Sequence, residues 1–289
     1  MSVCAFVNIR KPQDMTSSDA VVVVRGIMRR VTGERYKVGH MGTLDPMATG
    51  VLPVAIGKAT RLFDFLSEKR KTYVAEFVFG STTDTLDAWG IETNRDDKVV
   101  TKEQIEAVLP SLIGEIDQIP PTYSAKSVDG KRAYEYARKG VELSLPAKKV
   151  NISDIKLLDG EDNKFHFEIV CGAGTYIRAI ARDIASALGT YGYMSALTRT
   201  ESGLFNLDNS VDIKDFETAP FDHLITMEKA LSFLPFYEIR PEYRKKVLNG
   251  IKVAFNDLPE GTFVATIDGE VFGLAESVAG NLSIKLRLV

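Results

Sequence analysis

Residues 39–53, Gly39-His40-Met41-Gly42-Thr43-Leu44-Asp45-Pro46-Met47-Ala48-Thr49-Gly50-Val51-Leu52-Pro53, restrict the fold more than any other stretch of the chain. Gly39, Gly42 and Gly50 admit backbone angles closed to other residues, so the segment can turn tightly and let a ligand approach its main chain. Pro46 fixes its own φ and turns Asp45 away from helical geometry. One histidine and one carboxylate, His40 and Asp45, therefore share a loop, and both are candidates for chemistry. An Asp-Pro pair in a glycine-rich turn is more often a turn former than a catalytic group. Partners elsewhere in the chain must decide.

Upstream, residues 3–9 read as a short strand that Lys11-Pro12 breaks. Thr16-Ser17-Ser18-Asp19 then supply helix-capping residue types. Four consecutive valines follow, but Ile27, Met28 and Val31 continue a helical spacing and Thr32-Gly33 closes it, so a helix is expected. Residues 51–56 read as a buried strand interrupted by Pro53. Residues 58–66 read as a helix with Leu62, Phe63 and Leu66 inward and the basic Lys58 and Arg61 outward. Residues 71–79, with Tyr73 near their start, are β-rich and are expected near the centre of a sheet. Thr101 and Gln104 have capping-box spacing before a helix that stops at Pro110. Residues 165–171 form another strand, leading through Gly172-Ala173-Gly174 to a helix that Thr175 can cap and Gly189 ends. Tyr176 and Arg178 fall in its first turn, where an arginine opposes the helix dipole unless it meets an anion.

The formal net charge of −3 means that a nucleic-acid partner would have to be held by local basic patches. One such patch exists. Between residues 121 and 150, Lys126, Lys131, Arg132, Arg138, Lys139, Lys148 and Lys149 face only Asp129, Glu135 and Glu142, with Tyr123, Tyr134 and Tyr136 interleaved. That composition suits phosphate contacts with base stacking, and suits a solvated excursion with core-facing tyrosines equally well. Past residues 232–241, which carry two prolines, a short helix and several strands with turn signals at Asp268-Gly269 and Gly280-Asn281 form a small β-rich module.

Cys4 and Cys171 belong to no Cys-x-x-Cys pair and are read as reduced thiols. No run approaches the roughly 18 apolar residues that span a bilayer, and the N-terminus lacks a signal-like pattern, so a soluble, cytoplasmic protein is expected. The chain has no phosphate-binding P-loop, dinucleotide fingerprint, zinc-protease motif or nucleophile elbow. With His40, His166 and His223 scattered, a metal site is not expected. A carboxylate-centred reaction without cofactor remains.

The stretch from Gly39 to Gly50 resembles the signature loop of bacterial tRNA pseudouridine-55 synthases, and the likeness continues in order through most of the first 205 residues. It takes in Lys11-Pro12, Thr16-Ser17, Lys71-Thr72-Tyr73, residues 83–90, residues 118–140, Gly174-Thr175-Tyr176-Ile177-Arg178-Ala179 and Leu197-Thr198-Arg199. The resemblance implies an α+β fold: a mixed, largely antiparallel sheet with flanking helices over residues 1–235, and a β-barrel-like PUA module over residues 236–289. It also implies isomerisation of uridine to pseudouridine in the tRNA T-loop by base flipping, with Asp45 catalytic. Asp45 would attack C1′ or remove a proton from C2′. Tyr73 would face the uracil, Arg178 would pair with Asp45, Tyr176 and Leu197 would line the base pocket, and His40 would fill the stack left by the flipped nucleotide.

On the same resemblance, residues 120–146, with Lys126, Lys131 and Arg132, grip the T-arm, assisted by Lys58 and Arg61. The implied partner is tRNA, bound by a monomer that needs no membrane, no obligate protein partner, no cofactor and no metal. A non-catalytic tRNA-binding protein on the same scaffold is the alternative. Asp14 stands where the family usually has glycine, and Ser127 where lysine is common.

Overall fold

The first strand, β1 (Ala5–Lys11), leads into helix α1 (Ser17–Thr32), whose start is set by a capping box. The Thr16 hydroxyl accepts from the Asp19 N–H, and the Asp19 carboxylate accepts from the Thr16 N–H. Gly33 ends the helix in the left-handed region. The valine run is thus helical: Val21 and Val24 join Ala20, Ile27 and Met28 on the buried face, a period that tertiary packing rewards over local β preference.

The chain continues through β2 (Val38–His40), the loop carrying Asp45, β3 (Thr49–Ile56), a 3-10 turn (Gly57–Leu62), α2 (Phe63–Ser67) and β4 (Lys71–Phe79). The hairpin β5 (Ser81–Thr83) and β6 (Glu92–Arg95), α3 (Lys102–Val108), β7 (Gly114–Gln118), the hairpin β8 (Ser127–Val128) and β9 (Lys131–Arg132), β10 (Lys148–Glu161) and β11 (Lys164–Cys171) follow. Then come α4 (Ile177–Ala187), β12 (Gly192–Ser202), β13 (Phe205–Asn206), α5 (Ile213–Thr218), β14 (Ile225–Thr226) and α6 (Met227–Ala230). The C-terminal part holds β15 (Phe236–Glu238), α7 (Pro241–Leu248), β16 (Val253–Ala254), β17 (Gly261–Ile267), β18 (Glu270–Val278) and β19 (Asn281–Arg287). This computed structural model describes residues 3–67, 70–123, 127–128, 131–132, 145–251, 253–254 and 258–288.

The main sheet has ten strands, ordered β14-β1-β3-β12-β4-β11-β10-β7, with β2 on β3 and β13 on β12. Within it only β3 and β12 run parallel, so the architecture is α+β with a mixed, largely antiparallel sheet. Strands β1 and β3 are buried on both faces. Along β1 and β3, Val7, Ile9, Leu52, Val54 and Ile56 join the core cluster that also takes in residues of α1, α3 and α4, whereas Phe6, Val51 and Ala55 join the one that takes in Leu62, Leu66 and the C-terminal residues Val264, Val271, Leu274 and Leu288. A strand with two apolar faces reads as a continuous hydrophobic run, which is how residues 51–56 look. The second sheet has five strands, β15-β17-β18-β19-β16. No helix among the described residues is long and apolar enough to cross a membrane.

Three local expectations are corrected. Pro53 does not interrupt β3, which runs unbroken beside β1. The Pro53 carbonyl accepts from the Met41 N–H, so its missing donor faces the same side, between the end of the β12 pairing and the start of the β2 pairing. Phe63 is not inward but 41% exposed. The segment starts as a 3-10 turn with three residues per turn, which aligns Ala59 with Leu62, and its change to α geometry leaves Phe63 outside. The last hairpin turns at Ala279-Gly280, both at positive φ, one residue before the expected pair, and Asn281 begins the strand.

Candidate active site

Asp45 sits between β2 and β3 on a loop held by buried polar side chains. Ser17, at the start of α1, donates to the Leu44 carbonyl at 3.0 Å and accepts from the Leu44 N–H at 2.8 Å. Lys11, fully buried, donates to the carbonyls of Pro12, Met15 and Pro46 at 2.8, 2.7 and 3.2 Å. Burial pulls its pKa down to about 8, against the opposing pull of Asp45 and Asp14. Asp14 has φ +64, the left-handed geometry that explains a glycine preference there, and its N–H reaches the Pro46 carbonyl. From β12, the fully buried Arg199 donates through Nε to the Val51 carbonyl at 2.7 Å and through Nη2 to the Gly42 carbonyl at 3.1 Å. Leu44 and Met47 bury their side chains on either side of Asp45 and Pro46.

Gly50 is required by the crossing of β3 and β12. Its φ is +98, and a Cβ there would lie 2.2 Å from the Arg199 carbonyl oxygen.

Arg178 reaches Asp45 from the first turn of α4. Its Nε lies 3.0 Å from Oδ2 as an ion pair without hydrogen-bond geometry, and Nη2 donates to Oδ1 at 3.3 Å. The same guanidinium donates to the Thr85 carbonyl at 2.8 Å and the Tyr123 carbonyl at 3.1 Å, and it lies 3.4 Å from Asp87 Oδ2. Two carboxylates thus offset a cation that opposes the helix dipole. The arginine side chain is 7% exposed and that of Asp45 34%, so the carboxylate is the open end of the pair.

Tyr73, in β4, is buried in the core cluster that also holds Leu44, Met47, Leu197 and Ile177, and it sits in register with Arg199. Burial pushes its hydroxyl pKa up, and the nearby Arg199 pulls the other way. Leu197, on β12, is buried in the same cluster. His40 ends β2 half-buried, with Nδ1 lacking a hydrogen-bond partner and its pKa pushed down by burial and by Arg199. Tyr176 is the residue before α4 and not part of its first turn; Thr175 does not cap this helix, its hydroxyl donating instead to the Gly172 carbonyl. Lys58 and Arg61 are exposed on the 3-10 turn, and Arg61 Nη1 donates to the Arg287 carbonyl at 2.8 Å. Lys126 lies outside the described residues, and Lys131 and Arg132 are placed only as the backbone of β9.

Sequence reasoning had not singled out Asp87, Arg199 or Gln118 as site residues. Asp87 lies within the matched stretch 83–90, where its Oδ1 accepts from the Thr85 hydroxyl at 2.7 Å and the Trp89 N–H at 3.1 Å. Arg199 closes the Leu197-Thr198-Arg199 motif. Taken together, these contacts present a partly open carboxylate on a rigid loop, beside an apolar and aromatic wall. Such a carboxylate can act as nucleophile or base.

Comparison with known proteins gives the family. Residues 29–177 match the TruB family pseudouridylate synthase N-terminal domain, and residues 178–233 match the tRNA pseudouridylate synthase B C-terminal domain. The chain is 43% identical to tRNA pseudouridine synthase B of Geobacillus thermodenitrificans over 91% of its own length and 88% of the relative. With the Caulobacter vibrioides protein of the same name it shares 38% identity, over 98% and 95%. Among solved structures, a Cbf5-Nop10-Gar1 complex superposes with a TM-score of 0.73 at 24% identity, covering 99% of this chain and 85% of that one. An H/ACA RNP bound to a substrate RNA containing 2'-deoxyuridine gives 0.72 at 23%, with the same coverage, which establishes the shared fold. The chain belongs to the TruB family of pseudouridylate synthases.

Proposed function

We propose that the chain isomerises uridine to pseudouridine in tRNA, at position 55 of the T-loop, with Asp45 as the catalytic group. The observation that carries this reading is the Asp45 carboxylate, one-third exposed, held by a buried arginine that Asp87 braces from the other side. Relatives called tRNA pseudouridine synthase B, at 38–43% identity over nearly the whole chain, support tRNA as substrate.

The reaction breaks the bond between N1 and C1′, turns the base and joins C5 to C1′, with the C5 hydrogen leaving as a proton and N1 taking one up. No net redox change occurs, so a carboxylate and a shaped pocket suffice. Asp45 attacks C1′ or takes a proton from C2′. Tyr73 faces the uracil, Tyr176 and Leu197 line its pocket, and His40 fills the stack vacated by the flipped nucleotide. Residues 120–146, together with Lys58 and Arg61, hold the T-arm phosphates. Residues 1–235 form the catalytic domain and residues 236–289 a PUA-like RNA-binding module, in a cytoplasmic monomer.

Tritium release from C5-labelled uridine in tRNA tests the reading directly. The wild type is expected to release label and Asp45→Asn to release none while still binding tRNA. Full release by that variant would remove Asp45 from its role, and tRNA binding without release by the wild type would leave a binding protein.

A further inference from the structure

Helix α4, which Tyr176 precedes, carries Arg178 into the site, yet its first turn has neither a side-chain cap from its own N-cap residue nor an acidic residue. The missing cap comes from another part of the chain. Gln118, the last residue of β7 and 1% exposed, accepts from the Tyr176 N–H through Oε1 at 2.9 Å and donates through Nε2 to the Tyr176 carbonyl at 3.2 Å. One amide therefore pairs with both main-chain groups of the N-cap residue, whose carbonyl also accepts from the Ala179 and Ile180 N–H groups. Gln118 is also where the chain leaves the main sheet, in register with Lys148 on β10, for the basic segment.

Two more hydrogen bonds continue this seam. Arg182, one turn further along α4, donates to the Ile119 carbonyl at 2.9 Å, and Arg178 donates to the Tyr123 carbonyl at 3.1 Å. The guanidinium that holds Asp45 thus also holds the near end of the basic segment.

We infer that Gln118 is a positioning residue for the reaction: it locks the start of α4 to the chain leaving β7, so that Arg178 takes its place relative to Asp45. The inference rests on the proposed role of Asp45. Its physical basis is that catalytic groups act through placement, and displacement of about 1 Å costs up to about 100-fold in rate. An aliphatic side chain at 118 would fill the same space but leave the half-buried Tyr176 N–H without its partner, while the Tyr176 carbonyl keeps the Ala179 and Ile180 N–H groups.

The test is single-turnover tritium release from C5-labelled tRNA with protein in saturating excess, for wild type, Gln118→Met and Asp45→Asn. Equilibrium tRNA binding and thermal melts accompany it. At saturation a partly unfolded sample loses amplitude, whereas misplaced groups lower the rate constant. Gln118→Met is expected to lower the rate constant about tenfold or more with tRNA affinity within about threefold of wild type. A rate constant within about twofold of wild type would overturn the inference, as would a loss confined to affinity or melting temperature. If the methionine variant does not fold, Gln118→Asn, whose amide is one carbon too short to span both Tyr176 groups, is read by the same criteria. Wild type without release would sink the functional reading and this inference with it, whereas active wild type, inactive Asp45→Asn and fully active Gln118→Met would sink the inference alone.

Discussion

Arg178 meets the Asp45 carboxylate at both oxygens, with Nε 3.0 Å from Oδ2 and Nη2 3.3 Å from Oδ1, while Nη1 turns to Thr85 and Asp87. Only a planar fork with several donors can serve all of these at once. Arg178→Lys keeps the charge but supplies a single compact ammonium, so Asp45 loses its fixed orientation. We expect kcat to fall by at least about tenfold with KM for tRNA little changed. Steady-state kinetics of the purified variant check this, and a lysine enzyme with wild-type kcat would show that charge alone suffices.

Gly50 offers a test of how tightly the loop is bound to β12. A Cβ at this position would sit 2.2 Å from the Arg199 carbonyl oxygen, and the backbone there has φ +98. Backbone on backbone cannot yield as a flexible side chain can. Gly50→Ala is expected to cost more than about 2 kcal/mol, read as a lower urea midpoint with unchanged slope. Activity per folded molecule should fall too, because the strand that moves carries the Arg199 hydrogen bonds to Val51 and Gly42.

What could be read from the sequence divides along physical lines. Helix α1 is legible because Thr16 and Asp19 cap its start locally and Gly33 its end, and the central place of β4 because aromatic and β-branched residues crowd residues 71–79. The misreadings share a cause. Pro53 is tolerated because of where neighbouring strands end, Phe63 faces out because the turn before it is 3-10, and the cap of α4 comes from a glutamine 58 residues away. Each depends on packing partners that a local pattern does not contain. The arginine at 178 was legible as a cation needing an anion, but Asp87, the second anion, was hidden in a stretch that otherwise reads as a polar turn.

Lys11 makes stability depend on pH in a defined direction. Burial lowers its pKa from the ordinary 10.5 to about 8 in the folded protein. Between those values the unfolded chain holds a proton that the native chain has released, so the contribution of this group to stability rises with pH across that window. Lys11→Met has no such titration. Urea melts at pH 7 and pH 10 should therefore show the wild type gaining on the variant by roughly 2.5 kcal/mol. At pH 7 the variant also leaves the Pro12, Met15 and Pro46 carbonyls without this donor, which loosens the Asp45 loop. A wild-type to variant difference that stays constant with pH would mean that Lys11 titrates normally.

Lys58 and Arg61 are exposed on the turn that follows β3, the strand leaving the Asp45 loop, and they belong to a chain of net charge −3. With no overall positive field, each local phosphate interaction should register separately in the salt dependence of tRNA binding. Replacing either residue by glutamine should weaken binding at low salt and reduce the slope of log K against log salt by about 1 for each phosphate no longer neutralised. The single-turnover rate constant at saturating protein should hold, because neither side chain reaches the Asp45 pair. Arg61→Gln carries one further consequence. It removes the bond from Nη1 to the Arg287 carbonyl, which ties the 3-10 turn to β19 of the second sheet. Its melting temperature should therefore drop slightly where that of Lys58→Gln does not. Equal salt slopes for wild type and both variants would place the phosphate-binding groups elsewhere on the surface.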